Sequence, residues 1–384
     1  MRQLEKTSQV IDAGIDAGIH FGAQVSVWRS GDMLCDAAYG TVNLPPSDGG
    51  TPAPAELLTR DHLMLWMSAG KPILVVGLAR QVEAGVLDWD DPIAEWVPDF
   101  SQRGKDSITL RQVLTHTGGF RSVVSRYPRQ SWDETIDAVC AGRLEAGWTP
   151  GETAGYHPHS GWNILGKVLE VCTQEPLAAH LRQAVLLPWG LENTWVGMPD
   201  SDYLNERDRL AELFDTSTEV TRSTDSSLQP WVTGQRPGGN VWGPARELAR
   251  LYQGLVGGGQ LDGVRLLEPS TASLLTQRHR RDTLDRTFRA TMDWGLGLMV
   301  NNRRHDQVNR ERHGDIGTPY GFGPYASETA FGHGGNQCSI GFADPEYGVS
   351  IAVIFNGQPG EPEHQARMRQ VLSAIYEDLD LPRG

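Results

Sequence analysis

The chain has 384 residues, with 34 basic against 48 acidic side chains and a formal net charge of −14. That length holds one large domain or two lobes around a sizeable core, while the acidic balance opposes a sequence-independent grip on nucleic acid or on an anionic membrane. No stretch approaches the roughly 20 apolar residues of a membrane span, and the start Met1-Arg2-Gln3-Leu4-Glu5-Lys6 has no secretory apolar centre, so the expected location is cytoplasmic.

In chain order, residues 22–41 come first. Ala23, Val25 and Val27 alternate before the turn Ser30-Gly31-Asp32, and a second run ends at Gly40, which predicts a β-hairpin. Residues 60–285 are mostly helical in pattern, with helices predicted over 68–85, 110–114, 132–141, 161–173, 177–184 and 244–257, separated by loops rich in proline and glycine. Strand character returns at 294–300, 339–344 and 349–355, and an amphipathic helix over 362–379 closes the chain. Strands at both ends with helices between them predict a mixed α/β (α+β) fold in one domain, 1–384. One antiparallel sheet is built from 1–60 and 286–384, and a mainly helical lobe, 61–285, is inserted. A cleft between the lobes is the natural place for a site.

The chemistry concentrates at Met67-Ser68-Ala69-Gly70-Lys71-Pro72. On a helix Ser68 and Lys71 share one face. The apolar run 73–82 predicts a buried helix, which leaves Lys71 poorly solvated, lowers its pKa and suits it to general-base work. A serine beside such an amine becomes a nucleophile without a histidine-aspartate relay. Two further constellations follow: a turn-rich loop that delivers Tyr156 just ahead of a helix, and Phe331-Gly332-His333-Gly334-Gly335-Asn336 before a predicted strand. Glycines beside His333 let the backbone approach a ligand, as an edge strand must.

Other features fill in the picture. His157-Pro158-His159 resembles half a metal site but finds no partner spacing elsewhere, so no metal is expected. Cys35, Cys140, Cys172 and Cys338 are scattered and read as free thiols. Trp66, Trp148, Trp162 and Trp242 are the tryptophans expected near a pocket, and His116 is expected to hold a loop beneath it. The stretch 293–331, polar and then rich in Gly, Pro and aromatics up to Tyr325, is long enough to be a binding loop. The polar stretch 206–231 is expected to wrap over the helical lobe.

Ser68-x-x-Lys71, Tyr156 and His333-Gly334-Gly335, in this order and at these separations, resemble the three active-site elements of the serine β-lactamase-like hydrolases. Leu114-Thr115-His116-Thr117-Gly118-Gly119, Pro150-Gly151-Glu152 and Leu187-Pro188-Trp189-Gly190 fit the same family, and the resemblance runs from about residue 20 to 378. It implies the β-lactamase/transpeptidase-like fold, an acyl-enzyme on Ser68, Lys71 and Tyr156 sharing the proton transfers, an oxyanion hole from the Ser68 and Asn336 amides, and no cofactor. His333, Gly334, Gly335, Trp66, His157, Trp242 and Tyr325 are the substrate-binding candidates.

Two departures bear on the branch. The family's usual Tyr-x-Asn has Pro158 in place of the asparagine, which offers no side-chain amide, and the usual Lys-Thr-Gly has His333 in place of the lysine. Both disfavour β-lactam hydrolysis and resemble the family VIII carboxylesterases, which implies a small-molecule ester of small to medium acyl chain as substrate. The alternatives are a β-lactamase, a D-amino-acid peptidase or amidase, an acyltransferase, and a non-catalytic scaffold.

Overall fold

A computed structural model describes residues 4–43, 56–121, 128–218 and 221–381. Helix α1 (Glu5–Asp16) leads into the hairpin β1 (Gly22–Arg29) and β2 (Asp32–Gly40) expected from the alternation. The expected helix over 68–85 is divided. A tight 3-10 turn, Met67–Gly70, precedes α2 (Pro72–Glu83), with Pro72 in the first turn, where its missing N–H costs no helical bond.

Helices α3 (Leu110–Leu114), α4 (Trp132–Ala141), α5 (Ser160–Thr173) and α6 (Leu177–Leu181) build the helical lobe around the buried face of α2. The starts of α3 and α4 are fixed by reciprocal caps, Thr109 with Gln112 and Ser131 with Glu134, each satisfying otherwise orphaned backbone N–H groups. Helix α7 (Ala245–Val256) follows, buried along one side.

The sheet then resumes with β3 (Arg280–Asp285), β4 (Ala290–Trp294) and β5 (Met299–Val300). Helix α8 (Asp306–His313) precedes β6 (Phe331–Gly335), β7 (Ser339–Asp344) and β8 (Val349–Phe355), and α9 (Glu361–Asp378) ends the fold. The eight strands form one sheet in the order β3-β4-β5-β6-β7-β8-β1-β2, every pair antiparallel, so the two ends of the chain meet where β8 pairs with β1.

Both faces of that junction are covered. Val25, Val27, Ile351 and Val353 share a core with Ile11 of α1 and Val371 and Ile375 of α9, while Ala352 and Ile354 pack with Leu248 and Tyr252 of α7. Burial on two faces is why 349–355 is apolar at nearly every position rather than at alternate ones. Among the described residues no helix is long and apolar enough to cross a membrane.

Two expectations are corrected and one is extended. The run 294–300 is not one strand: it breaks at Gly297, whose φ of +72° makes the turn between β4 and β5. The segment 331–335 is itself a strand, β6, directly ahead of the expected strand β7, and β3 enters the sheet ahead of residue 286. Strand β5 pairs only with Phe331 and Gly332 of β6, so the His333–Gly335 end is laddered to β7 on one side and meets the helical lobe on the other.

Candidate active site

Trp66 sets the position of the serine turn. Its backbone N–H donates to Val241 O at 2.7 Å and its indole N–H to Gly243 O at 2.8 Å, while Tyr252 of α7 donates its hydroxyl to Ala69 O at 3.0 Å. Met67 adopts a left-handed φ of +50°, uncommon for a residue with a Cβ. That turn puts Met67 and Ser68 on the wall of a cleft of about 750 Å³. Strand β6 comes in tightly opposite: a Cβ added to Gly335 would lie 2.4 Å from Trp66 O and 3.0 Å from Met67 Cβ, so only glycine fits.

Lys71, at the foot of α2, is fully buried. Its Nζ donates to Ser68 Oγ at 2.8 Å, to Pro158 O at 3.1 Å and to Gly238 O. All three partners are uncharged oxygens, and the Tyr156 and Trp162 rings lie 5.4 and 5.2 Å away. Burial, helped by the charge of Arg236, therefore holds the amine well below the usual lysine pKa. Tyr156 donates its hydroxyl to Ser68 Oγ at 2.9 Å, and burial raises its pKa, so the phenol keeps its proton. Ser68 Oγ thus sits between an amine inclined to accept a proton and a phenol inclined to keep one. Its own hydroxyl donates to Gly238 O at 3.2 Å.

His333 lines the same cleft, 2% exposed. Its Nδ1 lies 2.7 Å from Gly334 O, which can only accept, so Nδ1 carries the proton. Burial and the nearby Lys71 charge lower its pKa to about 3, leaving this position without a cation at neutral pH. Gly334 lies beneath Tyr320, where an added Cβ would come within 2.6 Å of the ring, and Asn336 lines the cleft just beyond the end of β6.

Five of the substrate-binding candidates do not line the cleft: Gly335 is packed against the serine turn, and the other four are held elsewhere. Trp66 and Trp242 are completely buried below the serine turn, Trp242 donating its indole N–H to Asn240 Oδ1 at 3.0 Å. His157 is also buried: its Nε2 accepts from the Gly119 and Phe120 amides at 3.0 and 3.2 Å, and its backbone N–H donates to Nδ1 of His116 at 3.1 Å, so both histidines tie loops together. Tyr325 lies against α9, its hydroxyl 3.4 Å from Glu377, and the neighbouring aromatic in the cleft is Tyr320. Of the other two tryptophans, Trp162 lies beside Lys71 and Trp148 is buried with its indole N–H on Thr117 O at 2.9 Å.

Sequence reasoning misses several wall residues: Phe288 at the tip of the β3–β4 hairpin, Thr224 and Trp231 from the 206–231 stretch, and Arg236 just after it. The 293–331 segment contributes in part. Its Ile316, Pro319 and Tyr320 reach the cleft, while the turns of α8 were not signalled by its polar sequence.

Among the described residues the group best placed to hold a metal is Asp282, Asp293 and His305, none of which lines this cleft. Arg278 donates to Asp293 at 2.9 Å and Arg304 pairs with Asp282, so the carboxylates already have cationic partners.

Burial also lowers the pKa of His157 to about 4 and of His20 to about 3. Above pH 6.5 both are neutral in the folded and unfolded chain; below it the unfolded chain takes up protons that the folded one refuses. Stability is therefore expected to fall between pH 7 and 5, where most carboxylates stay ionised. Thermal unfolding at several pH values checks this, and a flat midpoint across that window would contradict it.

A profile of the family described as Beta-lactamase matches residues 7–375. The chain belongs to that family. It is a β-lactamase-fold hydrolase. Over 99% of its length it is 24% identical to the N-acetylmuramyl-L-alanine amidase of Bacillus subtilis, covering 90% of that protein. It is 26% identical to the esterase/beta-lactamase LipL of Mycobacterium tuberculosis, over 77% of this chain and 70% of that one. The crystal structure of a family VIII carboxylesterase superposes with a TM-score of 0.77 at 22% identity, over 98% of this chain and 97% of that one.

Proposed function

We propose that this β-lactamase-family hydrolase is a carboxylesterase that cleaves neutral esters of small to medium acyl chain through an acyl-enzyme on Ser68. The observation that carries the reading is Ser68 Oγ held at 2.8 Å from Lys71 Nζ and 2.9 Å from the Tyr156 hydroxyl. Neutral Lys71 keeps its two hydrogens on Pro158 O and Gly238 O and turns its lone pair to Ser68, taking the serine proton as Oγ bonds to the ester carbon, while the carbonyl oxygen gathers charge against the amides of Ser68 and Asn336. The C–O bond to the alcohol then breaks. Tyr156 gives its proton to the departing oxygen and recovers one from Lys71. Water repeats the sequence in reverse: it loses a proton to the same pair, attacks the acyl carbon and releases the acid and free Ser68.

The branch choice rests on two groups. Pro158 offers only its backbone where the family commonly has an asparagine amide, and the Pro158 carbonyl is already engaged by Lys71. His333 is neutral, so a carboxylate beside the scissile bond would meet no cation there. The cleft wall is largely apolar around Ser68, with Met67, Met299, Phe288 and Trp231, which suits a neutral ester. The name of the LipL relative includes esterase activity. Amide hydrolysis is the second reading, favoured by the name of the Bacillus subtilis relative.

The test is a comparison of p-nitrophenyl butyrate with a chromogenic cephalosporin. A charge-assisted hydrogen bond contributes about 1.5–3 kcal/mol, so its loss lowers kcat/KM for the carboxylate-bearing cephalosporin by about 10- to 100-fold relative to the ester. Cephalosporin turnover equal to or above that of the ester would overturn the branch choice.

A further inference from the structure

The tyrosine loop belongs to the helical lobe, yet what holds it comes from the sheet. Asp285, fully buried at the end of β3, accepts the Tyr156 backbone N–H at 3.1 Å. The same carboxylate oxygen accepts the amides of Thr287 and Phe288 at 2.9 and 3.0 Å, which closes the β3–β4 hairpin around it. Its other oxygen pairs with buried Arg280 at 3.0 Å, and Arg280 reaches on to Thr115 O at 3.0 Å. From the same hairpin, Thr287 donates its hydroxyl to Tyr156 O at 3.0 Å, Arg286 N donates to Ala154 O at 3.0 Å, and the Phe288 ring lies 4.9 Å from the Tyr156 ring. Both backbone polar groups of Tyr156 are thus bound by one hairpin, and its ring rests against that hairpin's tip.

We propose that Asp285 is the positioning residue for Tyr156: it closes the hairpin that clamps the tyrosine loop and so sets the distance from the Tyr156 hydroxyl to Ser68 Oγ. A buried carboxylate with four hydrogen bonds is costly to place unless each donor is present. Here the donors come from the two segments that must stay in register, the 154–156 loop and the 280–288 hairpin, so formation of the ion site and alignment of the phenol are one event. The negative charge also stands behind the phenol and adds to the rise in its pKa caused by burial.

The inference rests on the serine-hydrolase reading, and its test separates the two. Asp285→Asn is expected to lower kcat on p-nitrophenyl butyrate by about 10²-fold, the effect of misplacing a reacting group by about 1 Å. KM should change by less than about threefold, since the cleft wall is untouched. In the Tyr156→Phe background the same substitution should cost less than about twofold, because a residue that acts through Tyr156 has nothing left to align. An equal loss in both backgrounds, or an unchanged kcat in the single variant, would overturn the proposal.

Asp285→Asn leaves Arg280 without its counter-ion, so Thr287→Val is the companion where that variant does not fold. Thr287 is exposed on the cleft wall, and the change removes its hydroxyl bond to Tyr156 O together with the one it accepts from Arg121. A several-fold fall in kcat that is absent in the Tyr156→Phe background supports the clamp, and no change, or an equal fall in both backgrounds, overturns it. If wild type shows no turnover dependent on Ser68, the esterase reading fails and the clamp is judged by crystal structures of wild type and Asp285→Asn. The distance from the Tyr156 hydroxyl to Ser68 Oγ, 2.9 Å here, should then lengthen by about 1 Å in Asp285→Asn, and an unchanged distance would overturn the proposal.

Discussion

Ser68→Ala is expected to remove ester turnover by at least about 10⁴-fold, the scale seen when an acyl-enzyme nucleophile is deleted, with folding intact. The hydroxyl oxygen is the single atom shared by Lys71 and Tyr156, so no neighbouring group inherits its place. The fold does not depend on it. Lys71 keeps the carbonyls of Pro158 and Gly238 as acceptors, and the turn keeps its backbone bonds from Ala69 N to Trp66 O and from Lys71 N to Ser68 O. Thermal unfolding within a few degrees of wild type, together with loss of labelling by a serine-directed phosphonate, is the expected pair of results. Turnover that survives in the folded variant would remove Ser68 from the mechanism.

Lys71→Met should lower acylation by about 10²- to 10⁴-fold, the range for loss of a general base. Methionine fills the buried volume but cannot take the serine proton; the Pro158 carbonyl loses the lysine donor, and Gly238 O keeps the Ser68 hydroxyl. The wild-type pH profile carries the matching signature. The amine must be neutral to act, and its pKa lies well below the usual 10.5, so kcat/KM should rise with pH through a limb set below that value. Activity should then persist into alkaline solution, because burial keeps the Tyr156 phenol protonated. The acid limb should be missing from the residual activity of Lys71→Met. A limb unchanged in the variant, or one at the ordinary lysine pKa, would assign the base elsewhere.

The parts of the site that lie close together in sequence were legible there. Ser68 and Lys71 are neighbours along one turn, and the apolar run after Lys71 already implies burial and a depressed pKa. Tyr156 and His333 came from motif order, since no local pattern links residue 68 to 156 or 333. Strand β8 was visible because burial on both faces makes it apolar at nearly every position, and β7 through its central run Ile340-Gly341-Phe342-Ala343.

Strand β3 was hidden for the opposite reason. Its Arg280, Arg281, Asp282 and Asp285 fall at the end of the stretch taken as mostly helical and show no strand alternation, yet Arg280 and Asp285 are buried as a pair within the strand. Adjacency also misleads at Trp66: the turn that presents Met67 and Ser68 to the cleft sends the preceding indole into the core. Tyr320 and Tyr325 occupy the same glycine- and proline-rich run, and only the path of the chain after α8 decides which of them meets Gly334. His157 looked available because it follows Tyr156, but its ring is consumed by two backbone amides.

The most direct test of the central claim is acid-quenched mass spectrometry of the wild-type protein mixed for milliseconds with p-nitrophenyl butyrate. The account predicts a butyryl group on the peptide that carries Ser68, formed along with p-nitrophenol and lost in step with hydrolysis. Steady ester hydrolysis with the acyl group on a different residue, or at an unaltered rate in Ser68→Ala, would contradict it.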